Sequence, residues 1–586
     1  MQRDGFRILF AALLALSAQV WCDEPQTDVF SDTWEAVDNL GRRLPTHAEA
    51  GDPRDGKYVG IFYFLWLGAH GQSGPHDITR ILKKNPNAMQ EPDNAAWGPM
   101  HAFHHWGEPL FGYYLSDDAY VLKQHARMLA DAGADVVIFD VTNQTTYKDN
   151  YLALCKAFTE VRAAGSRTPQ IAFLCPFGDP ANVVRELHRD LYGPGVYPEL
   201  WFQWEGKPLI LADPTRVDDA LRAFFTFRKP VPSYFTGPDG PGQWGWLEVF
   251  PQHIFRNAGG EAEQMTVGVA QNAVGDRLAS MSEPGARGRS FRDGAADQKP
   301  DAVLYGYNFE EQWRRVFEID PEFVFITGWN EWVAMRLNEF NGVQAPVIFV
   351  DEFDQEHSRD IEPMRGGHGD NYYYQMIANI RRFKGVRPQP AAGPPKTIAI
   401  DGDFGDWQDV TPEYRDHTGD PVFRDHPGWG TAGRFLNRSG RNDFAVLKVA
   451  RDAENFYFYA RTRNYISLRV EPHWMMLFLD TDRDHETGWE GFDFVLNRVT
   501  PPTHACILER AGGDFACAPA GQAAYAVKEK ELELAIPRAA LGLTADTPLD
   551  IEFKWADNIM REGNIAEFTV NGDAAPPGRF NYRYFE

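Results

Sequence analysis

The sequence predicts an α/β protein with a (β/α)8 TIM barrel followed by a C-terminal antiparallel β-sandwich. From Tyr58 to about Lys384, apolar strand-like runs alternate with amphipathic helices. Fully apolar strands indicate a parallel sheet that is covered on both faces, and roughly eight such units suit a barrel. Beyond Thr397 the strands alternate apolar and polar residues between turns, as in a sandwich. A doubly wound open sheet is the alternative, but no Gly-rich phosphate turn follows the first strand.

Six apolar runs are predicted as barrel strands, and helices separate them. The helix "DDAYVLKQHARMLADAG" has Asp117 as its predicted N-cap and Gly133 as its stop. Two later helices are "NFEEQWRRVFEI" and "NYYYQMIANIRRFKG", and the second closes the region. The predicted strands are "YVGIFYFLWL", "ADVVIFD", "QIAFLCPF", "PLILAD", "MTVGVAQ" and "FVFITGW".

A Pro- and Gly-rich linker, "GVRPQPAAGPPK" at 385–396, separates the barrel (23–384) from the sandwich (397–586). Within the sandwich, Cys506 and Cys517 flank a hairpin signal at Gly512-Gly513. In an exported protein this pair permits a disulfide, and two free thiols are the alternative.

The N-terminus predicts export. Arg3 and Arg7 precede an apolar run at 8–18 that is too short to span a bilayer. We therefore predict a signal peptide at 1–22 and a secreted or periplasmic protein without a transmembrane segment. An outer-surface lipoprotein attached through Cys22 is the alternative, although bulky Val20 and Trp21 suit that signal poorly.

Composition narrows the ligand class. The formal charge of −25 argues against a nucleic-acid partner, because phosphates repel such a surface. Seventeen Trp and 22 Tyr favour a polysaccharide or glycan, whose sugar faces stack on aromatic rings. We predict no cofactor and no metal ion, and the oligomeric state is left open. Asp480, Asp482 and Asp484 alternate in a turn, where we favour carboxylates solvated by water over a calcium site.

Three carboxylates are the candidate catalytic residues. Asp140 ends one predicted strand, Glu331 ends "FVFITGWNE", and Glu248 lies among aromatic residues in "QWGWLEVFPQ". Burial beside aromatic rings raises the pKa of a carboxyl group and makes it a proton donor, while a better solvated partner stays ionised. Hydrolysis of glycosidic bonds requires such a pair. The alternative for each is a structural acid that caps a helix or pairs with arginine, which we favour for Asp213.

Aromatic and amide side chains near these acids are the predicted substrate-binding residues. They stand beside Glu331, follow Asp140, or end other strands of the predicted barrel, where active sites of this fold lie. They are Trp329, Asn330, Trp332, Asn143, Trp66 and Trp246.

Three motifs in this order, "GIFYFLW", "GYYLSDDAYVLKQHARMLADAGADVVIFD" and "FITGWNEW", resemble the glycoside hydrolase family 99 and 71 clan, including WbsX-like proteins. The resemblance implies a (β/α)8 barrel acting on glycans, with endo-mannosidase activity in family 99. It places a catalytic Glu at Glu331 and a second Glu three residues later, where this chain has Ala334. The partner acid is therefore Asp140 or Glu248, or the family mechanism does not apply.

The C-terminal region has a resemblance of its own. "IAIDGDFGDW" and "LFLDTDRDHETGWEGFDF" resemble carbohydrate-binding module family 9-like sandwiches, over Thr397 to Glu586. The sequence thus predicts a secreted glycoside hydrolase that uses a pair of carboxylates. The alternative is a non-catalytic glycan-binding barrel that has lost its acid/base pair. A lyase or esterase is less favoured, since no G-x-S-x-G elbow is present.

Overall fold

A computed structural model of the chain describes residues 28–500, 505–545 and 547–586. The predicted signal peptide at 1–22 and Cys22 lie outside these residues. Within the described ranges, no helix combines the length and the apolar character needed to cross a bilayer.

Eight parallel strands form a barrel-like ring in simple chain order, as the sequence predicts for this half. Successive strands pair from the first to the sixth, the seventh pairs with the eighth, and the eighth pairs with the first, whereas the sixth and seventh share no backbone ladder. The strands are β1 (Tyr58–Tyr63), β2 (Val136–Asp140), β3 (Gln170–Leu174), β4 (Lys207–Leu211), β5 (Thr226–Val231), β6 (Gln243–Gly245), β7 (Ala262–Gly268) and β8 (Phe323–Thr327).

One side chain bridges the gap between β6 and β7. The Gln264 carbonyl accepts the Gly245 N–H at 2.9 Å, and its amide donates to the Gly245 carbonyl at 3.1 Å. Gln264 is fully buried and so replaces the missing backbone ladder. A Cβ on Gly245 would lie 2.6 Å from the Phe255 ring, so this close approach requires glycine.

Helices cover the outside of the ring. Helix α3 begins one residue later than predicted, because Asp118 rather than Asp117 accepts the Tyr120 N–H. The helices are α1 (His47–Ala50), α2 (Ile78–Lys84), α3 (Ala119–Asp131), α4 (Lys148–Ala163), α5 (Ala181–Leu187), α6 (Asp219–Phe224), α7 (Tyr307–Ile319), α8 (Asn371–Lys384) and α9 (Glu567–Val570), the last in the C-terminal region.

A hairpin follows β8 and extends the barrel at the end where the candidate site lies. Its strands are β9 (Val333–Phe340) and β10 (Val343–Phe349). β9 pairs with Phe103–His105, a short histidine-rich strand in which His104 and His105 are buried.

The C-terminal region is one large antiparallel sheet that curls into a sandwich-like domain, in agreement with the predicted class. Cys506 lies opposite Ala523 and Cys517 lies opposite Ala511. Both thiols are free, so the disulfide alternative was wrong. The strands are β11 (Glu413–Arg415), β12 (Phe444–Arg451), β13 (Asn455–Thr462), β14 (Met476–Asp480), β15 (Phe494–Leu496), β16 (Ala505–Ala511), β17 (Cys517–Lys528), β18 (Glu531–Pro537), β19 (Asp550–Asp557), β20 (Asp573–Ala575) and β21 (Tyr582–Phe585).

The barrel and the sandwich share a buried polar interface. Arg424 of the sandwich side pairs with Asp118 at 2.7 Å, and Arg579 pairs with Asp370 at 2.7 Å. Removing one partner of a buried pair leaves an uncompensated charge, so these contacts hold the two regions in a defined arrangement.

Candidate active site

Glu331 lies just beyond the C-terminal end of β8, where a short loop is fixed to β1. The Asn330 amide accepts the Phe64 N–H at 2.9 Å and donates to the Phe64 carbonyl at 3.3 Å. The Trp329 N–H donates to the Phe62 carbonyl at 2.9 Å. Asn330 is therefore a buried positioning residue, and the predicted contact of its side chain with substrate was wrong.

A single guanidinium organises the acids around Glu331. Arg359, in the segment after β10, donates from Nη2 to the Glu331 carboxylate at 2.9 Å. The same nitrogen lies 3.9 Å from Asp351 Oδ1, and Arg359 Nε lies 3.6 Å from Glu352 Oε1. Arg359 and Glu352 are buried, whereas the Asp351 side chain is 47% exposed. One cation thus faces three carboxylates, and solvent reaches one of them.

Burial and crowding hold protons on this cluster near neutral pH. Burial raises the pKa of Glu331 to about 8, the charges of Asp351 and Asp140 act in the same direction, and Arg359 opposes them. Burial also raises the pKa of Asp140 to about 6, although the Thr142 N–H donates to it at 3.0 Å. Burial raises the pKa of Asp351 as well, although Arg359 lowers it and the side chain is 47% exposed. The site therefore contains one acid, Glu331, that keeps its proton at neutral pH and another that solvent reaches.

Half-buried aromatic residues lie beside these acids. Trp66 donates from Nε1 to the Asp140 carbonyl at 3.3 Å and stacks on Tyr147 with ring centroids 5.6 Å apart. Asn143 is exposed and donates to the Tyr147 hydroxyl. Trp246 contacts the ring of Tyr234 at 5.7 Å. These predicted substrate-binding residues are on accessible parts of the same barrel end.

Tyr234 connects Trp246 to the acid cluster. Its hydroxyl donates to Asn272 at 2.7 Å, and Arg359 Nη1 lies 3.5 Å from the same Asn272 oxygen. Burial raises the pKa of Tyr234 well above its usual value, and Asp351 and Glu331 add to this. Tyr234 is therefore a neutral hydroxyl facing the acids.

The two tryptophans that flank Asn330-Glu331 are not platforms for sugar rings, which corrects our prediction. Trp329 and Trp332 are both 0% exposed. The Trp332 ring stacks on Trp106 at 5.1 Å and its Nε1 donates to Glu362. Glu362 also accepts a hydrogen bond from His125 at 2.9 Å, so buried hydrogen bonds fix Trp332, the residue next to Glu331.

Glu248 contacts His253 rather than the acids around Arg359. It is 0% exposed, and its two oxygens accept the His253 N–H at 2.8 Å and pair with His253 Nδ1 at 2.9 Å. The structure therefore does not bring Glu248 together with Glu331 and Arg359. Asp213 accepts the Thr215 N–H at 2.9 Å, which confirms it as a helix cap.

Asp351 and Arg359 are site residues that the sequence prediction missed. A weak signal for Asp351 exists, since it follows the apolar end of β10, "VIFV". Ala334, at the position of the family's second Glu, lies in β9 opposite His104 and is buried. No carboxylate stands there, and Asp351 supplies one from another segment.

Comparisons with known proteins gave partial similarities. No protein-family model matches the chain, and no characterised protein sequence matches it. The GH99 endo-alpha-mannosidase from Bacteroides thetaiotaomicron in complex with bis-tris-propane is 15% identical, over 56% of this chain and 98% of that one, with a TM-score of 0.33. A second structure of that enzyme is 14% identical over the same shares, with a TM-score of 0.31.

Proposed function

We propose that the protein is a secreted glycoside hydrolase in which Glu331 is the proton donor and Asp351 is its partner carboxylate. One observation carries the proposal: at the C-terminal end of the barrel, Arg359 lies between a buried Glu331 and a solvent-exposed Asp351. Glycoside hydrolysis requires this combination of a protonated and an ionised acid.

The proposed chemistry follows from the different surroundings of the two acids. Glu331 keeps its proton at neutral pH and donates it to the glycosidic oxygen as the bond breaks. Arg359 then stabilises the carboxylate that Glu331 becomes, through the hydrogen bond already present at 2.9 Å. Asp351 acts from the solvated side, as the base that activates water or as the nucleophile.

The neighbouring groups have binding roles in this proposal. The accessible wall that contacts the sugar consists of Trp66, Trp246 and Asn143. Trp66 is the best placed of these, because its indole N–H donates a hydrogen bond to the Asp140 carbonyl. Asp140 raises the pKa of Glu331 and so helps to retain the donor's proton. Export through the N-terminal 1–22 segment is part of the same proposal.

The second candidate function is glycan binding without catalysis. It is favoured by the ion pair of Glu331 with Arg359 and by Ala334, since a paired Glu331 can serve structure alone. The two candidates differ in one observable: only the hydrolase releases products.

The test is a digestion screen of wild-type protein over plant, algal and fungal polysaccharides with product analysis. On any cleaved substrate, Glu331→Gln and Asp351→Asn should each lose about 10²–10⁴-fold in kcat. Glu248→Gln is the matched control, because it neutralises another buried carboxylate and should retain activity. Thermal melting of each variant separates lost chemistry from lost folding.

Two results would count against the hydrolase. Full activity in Glu331→Gln would remove the assigned donor. Retention of a polysaccharide by the wild type, without any product, would establish the binding function instead.

A further inference from the structure

A second group of acids lies where the sandwich meets the barrel. Asp416 and Asp420 are in the loop after β11, and Asp573 begins β20. One carboxylate oxygen from each lies within 4.8 Å of the others. Asp443, just before β12, adjoins this loop, since it accepts the Gly419 N–H at 2.9 Å. We name these four residues the junction cluster.

The junction cluster contains buried oxygens without partners. Asp416 is 2% exposed, and neither of its carboxylate oxygens accepts a hydrogen bond. One oxygen of Asp420 and one of Asp573 are also buried and unbonded, although the other Asp573 oxygen accepts the Phe444 N–H at 2.6 Å. Buried carboxylates are normally hydrogen-bonded or paired, so these oxygens point to a missing ligand.

Nearby cations do not compensate for the four acids. Arg127 uses Nη2 on the Gly419 carbonyl at 2.8 Å, and Lys554 donates to two backbone carbonyls. His417 pairs with a different acid, through Nε2 and Asp131 Oδ1 at 3.0 Å. Arg463 is half exposed and lies 3.8 Å from Asp443.

The charges of Arg127 and His417 lower the pKa of Asp420, but neither residue hydrogen-bonds to the free oxygens of Asp416, Asp420 and Asp573. Repulsion and burial raise the pKa of Asp416 and Asp573, as expected for like charges held together. A bound divalent cation would supply the missing charge and occupy the unbonded oxygens.

Another group of acids, in a turn of the sandwich, differs because its carboxylates accept hydrogen bonds. Asp480, Asp482 and Asp493 also lie within 4.8 Å of one another. However, Asp480 accepts the Arg483 N–H, and Asp493 accepts from the backbone and hydroxyl of Thr481 at 2.9 and 2.6 Å. Donors within the turn therefore hydrogen-bond to these carboxylates, which do not need a metal ion to satisfy them.

We propose that the junction cluster binds one calcium ion, which fixes the 416–420 loop between the sandwich and the barrel. The ligands are all hard oxygens from separate segments, which suits calcium. The loop also reaches the barrel, because the Thr418 hydroxyl donates to the Ala164 carbonyl at 2.7 Å.

The test uses the full-length protein after EDTA treatment and dialysis. Added CaCl2 should raise the Tm by several degrees, because a ligand that binds only the folded state stabilises it. Elemental analysis after calcium loading and gel filtration should give one calcium per chain, and MgCl2 should give a smaller shift. Asp416→Asn and Asp573→Asn should each abolish the calcium shift, while Asp482→Asn, the matched change in the satisfied turn, should retain it.

One further comparison separates metal binding from a merely protonated cluster. Without calcium, Asp416→Asn should melt above the metal-free wild type, because it removes a repelling charge. If Asp416→Asn does not fold, Asp443→Asn takes its place and should weaken calcium binding at least tenfold. The proposal is overturned by a wild type that binds no calcium, by a shift lost in Asp482→Asn but kept in the junction variants, or by equal shifts with magnesium.

Discussion

Two regions of this molecule each gather four carboxylates, but they differ in what surrounds them. At the barrel end, Arg359 lies among the acids and solvent reaches Asp351. In the junction cluster, both carboxylate oxygens of Asp416 and one each of Asp420 and Asp573 have no hydrogen-bond partner among the described residues, and half-exposed Arg463 lies 3.8 Å from Asp443. The cation already built into a cluster, rather than the number of acids, therefore decides what it can do. The first cluster can hold and release a proton, and the second can hold a cation.

The largest expected effect tests whether the two clusters are functionally independent. Glu331→Gln should lower kcat about 10²–10⁴-fold and leave the calcium-induced rise in Tm unchanged. Asp416→Asn should do the reverse, keeping kcat on the same substrate while losing the calcium response. Kinetics and calorimetry on both variants make the comparison. Loss of hydrolysis in both would show that the junction controls the barrel end and would break the distinction.

The next effect concerns the cation itself. Arg359→Gln removes the guanidinium that donates to Glu331, and leaving a buried polar group without its hydrogen bond typically costs about 1–3 kcal/mol of unfolding free energy. Chemical denaturation at pH 7.5 measures this cost. Arg463→Gln is the control, since Arg463 is half exposed beside Asp443 and an exposed pair contributes about 0–1 kcal/mol. Equal losses in the two variants would mean that Arg359 has no special role among the acids.

A pH-dependent effect comes from the proton on Glu331. The pKa of this group is raised in the folded state from 4.5 to about 8, so the folded protein binds the proton more tightly than the unfolded chain does. Stability from Glu331 is therefore present below pH 4.5 and decreases as pH rises to about 8, by at most about 1.4 kcal/mol per pH unit. The Tm difference between Glu331→Gln and wild type should grow in favour of the variant over this range. A constant difference would show that Glu331 is ionised throughout.

The same proton sets an expected pH profile for activity. Because the donor must be protonated, kcat should decline as pH rises through about 8. A profile that stays flat to pH 9.5 would argue against Glu331 as the donor, whatever its effect on stability.

The sequence revealed six of the eight barrel strands, and the two it missed have physical reasons. β5 contains Arg228, Lys229 and Pro230 and so does not form an apolar run, yet Arg228 is buried because it bonds Glu263 at 3.0 Å. β6 has only three residues, and the Gln264 side chain completes its pairing. Periodicity does not detect a strand that is held by a salt bridge or by an amide.

The site was predicted in part for a related reason. Glu331 is found from the local pattern, because an apolar strand delivers it to the barrel end. Arg359 lies 28 residues further along the chain, and only the folded path of the β9–β10 hairpin returns it to Glu331. The aromatic pair at Trp329 and Trp332 reads as a sugar platform locally, but the bonds from Asn330 to Phe64 turn both rings into the core.

The smallest expected effect distinguishes the accessible tryptophan from the buried pair. Trp66→Phe keeps a ring on Tyr147 but loses the bond to the Asp140 carbonyl, and Trp66→Ala loses both. If Trp66 contacts the sugar, Trp66→Ala should raise KM about three- to tenfold, equivalent to about 0.5–1.5 kcal/mol for an aromatic contact, with kcat nearly unchanged. Trp66→Phe should fall between this variant and wild type. Tyr465→Ala, at a 69% exposed ring of the sandwich, should leave both constants unchanged.

Trp332→Ala should instead lower the Tm, because removing this buried ring creates a cavity in the core. An unchanged KM in Trp66→Ala would mean that the sugar binds on another wall of the barrel end, with Trp246 the next residue to substitute.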